Sequence, residues 1–200
     1  MPNNVRVLAY PIPHVQSIFT RLDVRSGTLF ENSTNNGISH FLEHYLHQGN
    51  TKYPTSHKFS LYLEEEGIFQ NGFTFAFGNY YYMKAPAFKL EKVLNLLFLM
   101  STRPTLAENR LKHVEEVILN EYYDYWQKPE AKFYRELLLK RFTDTPAYLQ
   151  EVLGSPEIIS TITHKDVVDW FQRYYTAGNF FLTIAGNFEM DKLQELLAKT

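Results

Sequence analysis

Three side chains able to do chemistry together stand within five residues, in the run His40-Phe41-Leu42-Glu43-His44. On a helix, residues three and four apart share a face, so His40, Glu43 and His44 converge on one side. Two imidazoles one turn apart can grip a single metal ion, as in His-Glu-x-x-His zinc helices. Here the order is inverted to His-x-x-Glu-His. Zinc held this way lacks a third protein ligand and keeps one position for water. The ion lowers that water's pKa to about 7, and Glu43 is placed to take its proton as general base. With 7 His and 22 acids in 200 residues, chance yields the pattern in roughly 3% of such sequences. The competing reading is a helix showing two surface histidines and a solvated glutamate. Cysteine is absent, which excludes thiol catalysis, disulfides, iron–sulfur clusters and cysteine zinc sites.

A third ligand has to come from elsewhere in the chain. Residues 107–126 read as a long helix with an apolar stripe of Leu111, Val114, Ile118 and either Tyr122 or Tyr125. Glu115, Glu116 and Glu121 ride on it. Glu121 adjoins the stripe and can reach inward, although most helical glutamates face solvent. The other histidines, His14, His47, His57, His113 and His164, have no usable partner spacing. His47, three residues past the motif, reads as a surface residue or else as a neighbour supporting the site.

The elements that must position these groups follow from hydrophobic period and breakers. Residues 5–10 read as a strand, ended by Pro11 and Pro13. Residues 17–24 alternate, with Ile18, Thr20, Leu22 and Val24 on one face. Helices are expected over 37–47 and over 55–66, the latter capped by Thr55 or Ser56 and stopped by Gly67. A hairpin over 68–77 and 80–84 is expected to turn at Gly78-Asn79 rather than Asn71-Gly72. Seven aromatics between Phe69 and Tyr82 read as sheet core, or else as the lining of an apolar groove. Further helices are expected over 88–100, 107–126, 130–142, 164–174 and 190–199, with a strand at 180–185. Early strands, central helices and one returning strand make a single α+β domain spanning 1–200.

Composition agrees with a packed domain: 44% apolar and 16% aromatic residues suffice for a sizeable core. Twenty basic against 22 acidic residues leave −2, so no bulk field draws nucleic acid or anionic lipid. The longest uncharged stretch, residues 67–83, carries Gln70, Asn71, Thr74 and Asn79 and makes a poor membrane span. No secretory signal opens the chain, which reads as cytoplasmic.

The sequence resembles the pitrilysin family of inverted zinc peptidases, which includes insulin-degrading enzyme and the mitochondrial processing peptidase. The resemblance runs from Ser17 to Leu197. It rests on Gly27 and Glu31 of a glycine-x-x-x-acid segment and on Gly37-Ile38-Ser39-His40-Phe41-Leu42-Glu43-His44 with Gly49 after it. It continues through Asn71-Gly72-Phe73-Thr74, Val117-Ile118-Leu119-Asn120-Glu121, Leu153-Gly154-Ser155-Pro156-Glu157 and Leu182-Thr183-Ile184-Ala185-Gly186-Asn187. Glu121 stands 77 residues after His44, the separation at which this family carries its third ligand. The resemblance therefore implies His40, His44 and Glu121 as zinc ligands and Glu43 as general base of an endopeptidase. It implies a two-layer α+β domain whose mixed or mostly antiparallel sheet is packed by helices. It also implies an extended peptide substrate added beside Asn71 and Thr74. Val114 stands where the family often has another glutamate, which leaves the neighbouring Glu115 as a supporting acid. Such peptidases close a second, similar half over the substrate, so a partner domain or chain, or a homodimer, is expected. The competing classes are a non-catalytic subunit of the same family and a structural zinc domain.

Overall fold

The structure, a computed structural model, describes residues 4–142 and 152–199. Its strands are β1 (Arg6–Pro11), β2 (Ser17–Val24), β3 (Phe69–Phe75), β4 (Gly78–Pro86) and β5 (Phe180–Gly186). They form one sheet in the order β1-β5-β2-β4-β3; β1 runs parallel to β5 and the other pairings are antiparallel. The helices that matter below are α1 (Ile38–Leu46), α2 (Ser56–Glu65), α3 (Leu90–Thr102), α4 (Leu111–Trp126) and α5 (Pro129–Arg141). This is the expected α+β domain with a mixed sheet. Among the described residues no helix is long and apolar enough to cross a membrane.

The sheet's period of two decides what is buried. In β2, Ile18, Thr20, Leu22 and Val24 all face the core, and in β5 Phe180, Leu182 and Ile184 do the same. Against them pack Phe41, Leu42, Tyr45 and Leu46 of α1 and Leu94 and Leu97 of α3, all fully buried. Helix α1 is buried nearly all round, so its position is fixed by packing rather than by propensity.

The helix boundaries shift by four residues or fewer at either end, and α3 runs on to Thr102 rather than stopping at Met100. Helices α3 and α4 begin at Leu90 and Leu111, each preceded by a 3-10 turn, Ala87–Lys89 and Glu108–Arg110. Thr55 caps α2 by accepting a hydrogen bond from the Lys58 N–H, and Gly67 follows with φ 60°.

Two expectations about the hairpin fail. The register pairs Phe75 with Gly78, so the turn is Ala76-Phe77 and not Gly78-Asn79. Gly78 is needed inside β4, because a Cβ there would lie 2.2 Å from the Val24 carbonyl oxygen, and Asn79 is fully buried. The aromatic run is also not core. Of its seven rings only Tyr81 is buried, and Phe69, Phe73 and Phe77 are more than half exposed. The inward positions of β3 go to Gln70, Gly72 and Thr74, which leaves Phe69, Phe73 and Phe75 on the outer face with Tyr80 and Tyr82.

The hairpin turn seats on Gly27. A Cβ at Gly27 would fall 2.0 Å from the Phe75 carbonyl oxygen and 2.4 Å from Gly78 N. Both are backbone atoms with no side chain to yield. Gly27→Ala is expected to destabilise the fold by about 3 kcal/mol, read as a lowered urea midpoint with unchanged slope.

Candidate metal centre and catalytic carboxylate

Helix α1 carries His40, Glu43 and His44, and its N-terminus has an unusual cap. Its N-cap, Gly37, has no side chain and sits at φ 93°. The buried Glu31 carboxylate supplies the missing acceptors, taking hydrogen bonds from Gly37 N at 2.8 Å, Ser39 N at 2.9 Å and Asn36 Nδ2 at 3.0 Å. A negative group at this end also complements the helix dipole. Glu31 therefore anchors the turn that presents His40, a role the sequence pattern did not reveal.

Helix α4 packs across α1 and delivers Glu121. His40 Nε2 and His44 Nε2 lie 3.1 Å apart, and Glu121 Oε2 stands 3.2 Å from His44 Nε2 and 3.6 Å from His40 Nε2. Tetrahedral zinc at about 2.0–2.1 Å from N and O ligands holds neighbouring ligand atoms about 3.3 Å apart. The triangle has that size, and among the described residues these three form the one cluster able to hold a metal ion. The donor set fits zinc: two imidazoles and a carboxylate, with a fourth direction open toward the groove.

Electrostatics favour a site ready for a cation. Burial, reinforced by the neighbouring His44, depresses His40 to about 4, so it is neutral at physiological pH. The Glu121 carboxyl is held low by its hydrogen bond to His44. Glu43 behaves in the opposite way. It is buried, and desolvation raises its pKa even though Thr74 and His44 pull it down.

The structure distributes the remaining candidates differently. Thr74 is 3% exposed and its Oγ1 lies 2.5 Å from Glu43 Oε2, so it holds the glutamate rather than facing outward. Asn71 is exposed on β3, whose far edge has no strand partner among the described residues, and its Oδ1 accepts from Gly72 N. The Glu115 carboxylate meets Lys112 Nζ at 2.7 Å, and among the described residues no hydrogen bond or ion pair joins it to the triad. Glu43, the triad and the 71–74 segment line one groove of about 1040 Å³, walled on the far side by Trp126 of α4 and Tyr134 of α5.

His47 is not a solvated surface residue. Its ring packs 6.1 Å from that of Tyr81, and its Nε2 lies 3.0 Å from where a Gly72 Cβ would stand. Burial lowers its pKa from 6.5 to about 4. A base depressed on folding contributes stability that is full above about pH 6.5 and is lost as pH falls toward 4. His47→Gln is expected to flatten acid denaturation in that window by up to about 3 kcal/mol, measured by urea unfolding at pH 7 and pH 4.

An α+β domain whose buried helix joins two histidines to a glutamate from a second helix, with a further carboxylate alongside, has the build of a metal-dependent hydrolase. Comparison with known proteins gives the family. The profile of the insulinase family, peptidase family M16, matches residues 6–154, and the chain belongs to that family. It is 30% identical over 193 residues to an uncharacterized zinc protease of Rickettsia felis, covering 96% of this chain and 46% of that protein. It is likewise 30% identical over 173 residues to the human mitochondrial-processing peptidase subunit beta, covering 86% of this chain and 35% of that one. The chain thus spans about half the length of the curated relatives it matches, or less. Among solved structures, the periplasmic protease PqqL from Escherichia coli superposes with a TM-score of 0.92 at 20% identity, over 98% of this chain and 22% of that one. That likeness establishes the fold.

Proposed function

We propose that this chain is the zinc-binding half of an endopeptidase, with His40, His44 and Glu121 as ligands and Glu43 as general base. The observation that carries the reading is the zinc-sized triangle of ligand atoms with a buried, raised carboxylate beside it. Zinc, when bound, polarises a peptide carbonyl and acidifies a water molecule. Glu43 accepts the water's proton as its oxygen attacks the carbonyl carbon, then passes that proton to the leaving amine. A carboxyl that burial raises above its ordinary value suits both transfers. An extended peptide pairs with the free edge of β3 beside Asn71, so that backbone rather than side-chain identity is read first. Thr74 serves this reaction through Glu43.

The half-length match supports a second domain or chain closing the groove, or a second copy of this chain. The outward aromatic face of β3 and β4 supports the same reading, since single domains rarely leave so many rings uncovered. A half-enzyme inert by itself is the second reading, favoured by that same half-length match.

The deciding experiment incubates the zinc-loaded chain with an unstructured peptide mixture, alone and with the remainder of its full-length protein, each with and without chelator. Chelator-sensitive cleavage by the chain alone identifies a self-sufficient peptidase. Cleavage only with the remainder identifies a half-enzyme. Cleavage in neither arm overturns the peptidase reading.

A further inference from the structure

We infer that Asn79 is a positioning residue for Glu43: with Ser26 it fixes the direction of a buried hydrogen-bond array that locks one carboxylate oxygen and leaves the other to take up the proton. The inference rests on the reading of Glu43 as general base.

The array has a single consistent direction. Asn79 is fully buried, and one end of its amide lies 3.1 Å from the Ser39 carbonyl oxygen and 2.6 Å from Thr74 Oγ1. A carbonyl oxygen only accepts, so this end is Nδ2 and it donates to both. The other end, Oδ1, lies 2.6 Å from Ser26 Oγ, which must donate to it. Having accepted from Asn79, the Thr74 hydroxyl directs its one proton to Glu43 Oε2 at 2.5 Å. From Ser26 through Asn79 to Thr74 the donors thus run toward Glu43.

Two consequences follow for the reaction. Glu43 Oε2 is occupied as an acceptor, so its plane and rotamer are set before substrate arrives. Oε1 faces Gly72, where a Cβ would come within 3.0 Å, and both residues line the groove. The water O–H bond therefore breaks toward Oε1: the proton bonds to that oxygen, and the electron pair stays on the oxygen that attacks the carbonyl. Asn79 also ties the strand to the Ser39 carbonyl, one residue before His40, so base and ligand turn share one anchor.

Asn79→Asp keeps the shape of the residue but removes the donors, so the Thr74 proton is recruited away from Glu43. Ser26→Ala removes the donor that fixes the amide, at the cost of a single oxygen. Two readouts apply. The first is the 13C carboxyl resonance of Glu43 in the metal-free chain, assigned by its loss in Glu43→Gln. It should shift in Asn79→Asp, Ser26→Ala and Thr74→Val, and stay in place in Thr74→Ser. The second is turnover in the zinc-loaded full-length protein. In the first three variants kcat should fall about tenfold to a hundredfold, with KM and zinc content within twofold, and Thr74→Ser should lose less than Thr74→Val. An unmoved resonance with unchanged kcat in folded Ser26→Ala and Thr74→Val overturns the inference. An inactive parent, or Glu43→Gln as active as the parent, overturns the peptidase reading instead, and the resonance then decides the array by itself.

Discussion

Replacing Glu43 by glutamine should abolish peptide cleavage while leaving zinc in place. A general base contributes about 10²–10⁴ in rate, so kcat should drop by about that factor, or about 3–5 kcal/mol of transition-state stabilisation. Zinc stoichiometry should not change, because the Glu43 carboxylate is held by Thr74 and lies outside the His40–His44–Glu121 cluster. Stability should move the other way. Burial raises the Glu43 carboxyl above its ordinary value. The contribution of such a group is full below the unfolded carboxyl pKa and is lost as pH rises through the folded one. Glutamine removes that cost, so Glu43→Gln should be more heat-stable than the parent at pH 7 to 8, by about 2–4 °C for each kcal/mol relieved. Calorimetry with zinc analysis by mass spectrometry checks both halves. A variant that keeps full turnover would remove Glu43 from the mechanism.

The second large effect concerns the metal itself. His44→Ala or Glu121→Ala each delete one corner of the triangle, leaving the other ligands with no third protein donor. Zinc-finger sites bind with about 10–16 kcal/mol, so one ligand's share corresponds to about two to three orders of magnitude in zinc affinity. Competition against a chromophoric chelator measures it directly. Heat stability gives a second measure, since a ligand that binds only the folded state raises Tm with its concentration. The parent should therefore show a zinc-dependent rise in Tm that both variants lack. Glu121 is half-exposed and its carboxylate meets His40 and His44, so its removal frees no core packing and should leave the metal-free fold intact. Tight zinc in Glu121→Ala would mean that another acid completes the site.

Much of this protein is local in origin and therefore legible in its sequence. The alternation of residues 17–24 named the buried face of β2 residue by residue, because one-sided burial of a strand obliges a period of two. The shared face of His40, Glu43 and His44 was visible because i, i+3 and i+4 spacing alone sets which side chains meet. The bounds of Ser17–Val24, His164–Tyr174 and Met190–Lys199 needed only pattern and breakers. Glu121 was legible as one acid among three, singled out by the family's separation from His44.

What remained hidden depends on contacts between residues far apart in the chain. The hairpin turn at Ala76-Phe77 is set by Gly78 lying against the Val24 carbonyl and by Asn79 entering the core, and no local rule favours Ala-Phe over Gly-Asn as a turn. The aromatic run faces outward because the inward positions of β3 are taken by Gln70, Gly72 and Thr74, of which Gly72 and Thr74 lie against Glu43, a juxtaposition created only when α1 docks there. Glu31 becomes a helix cap, His47 a packed residue and Thr74 a clamp on Glu43 for the same reason. Sequence determined which residues can share a helix face or a strand face. The tertiary structure decided which of those faces meet, and so which polar groups must satisfy one another away from water.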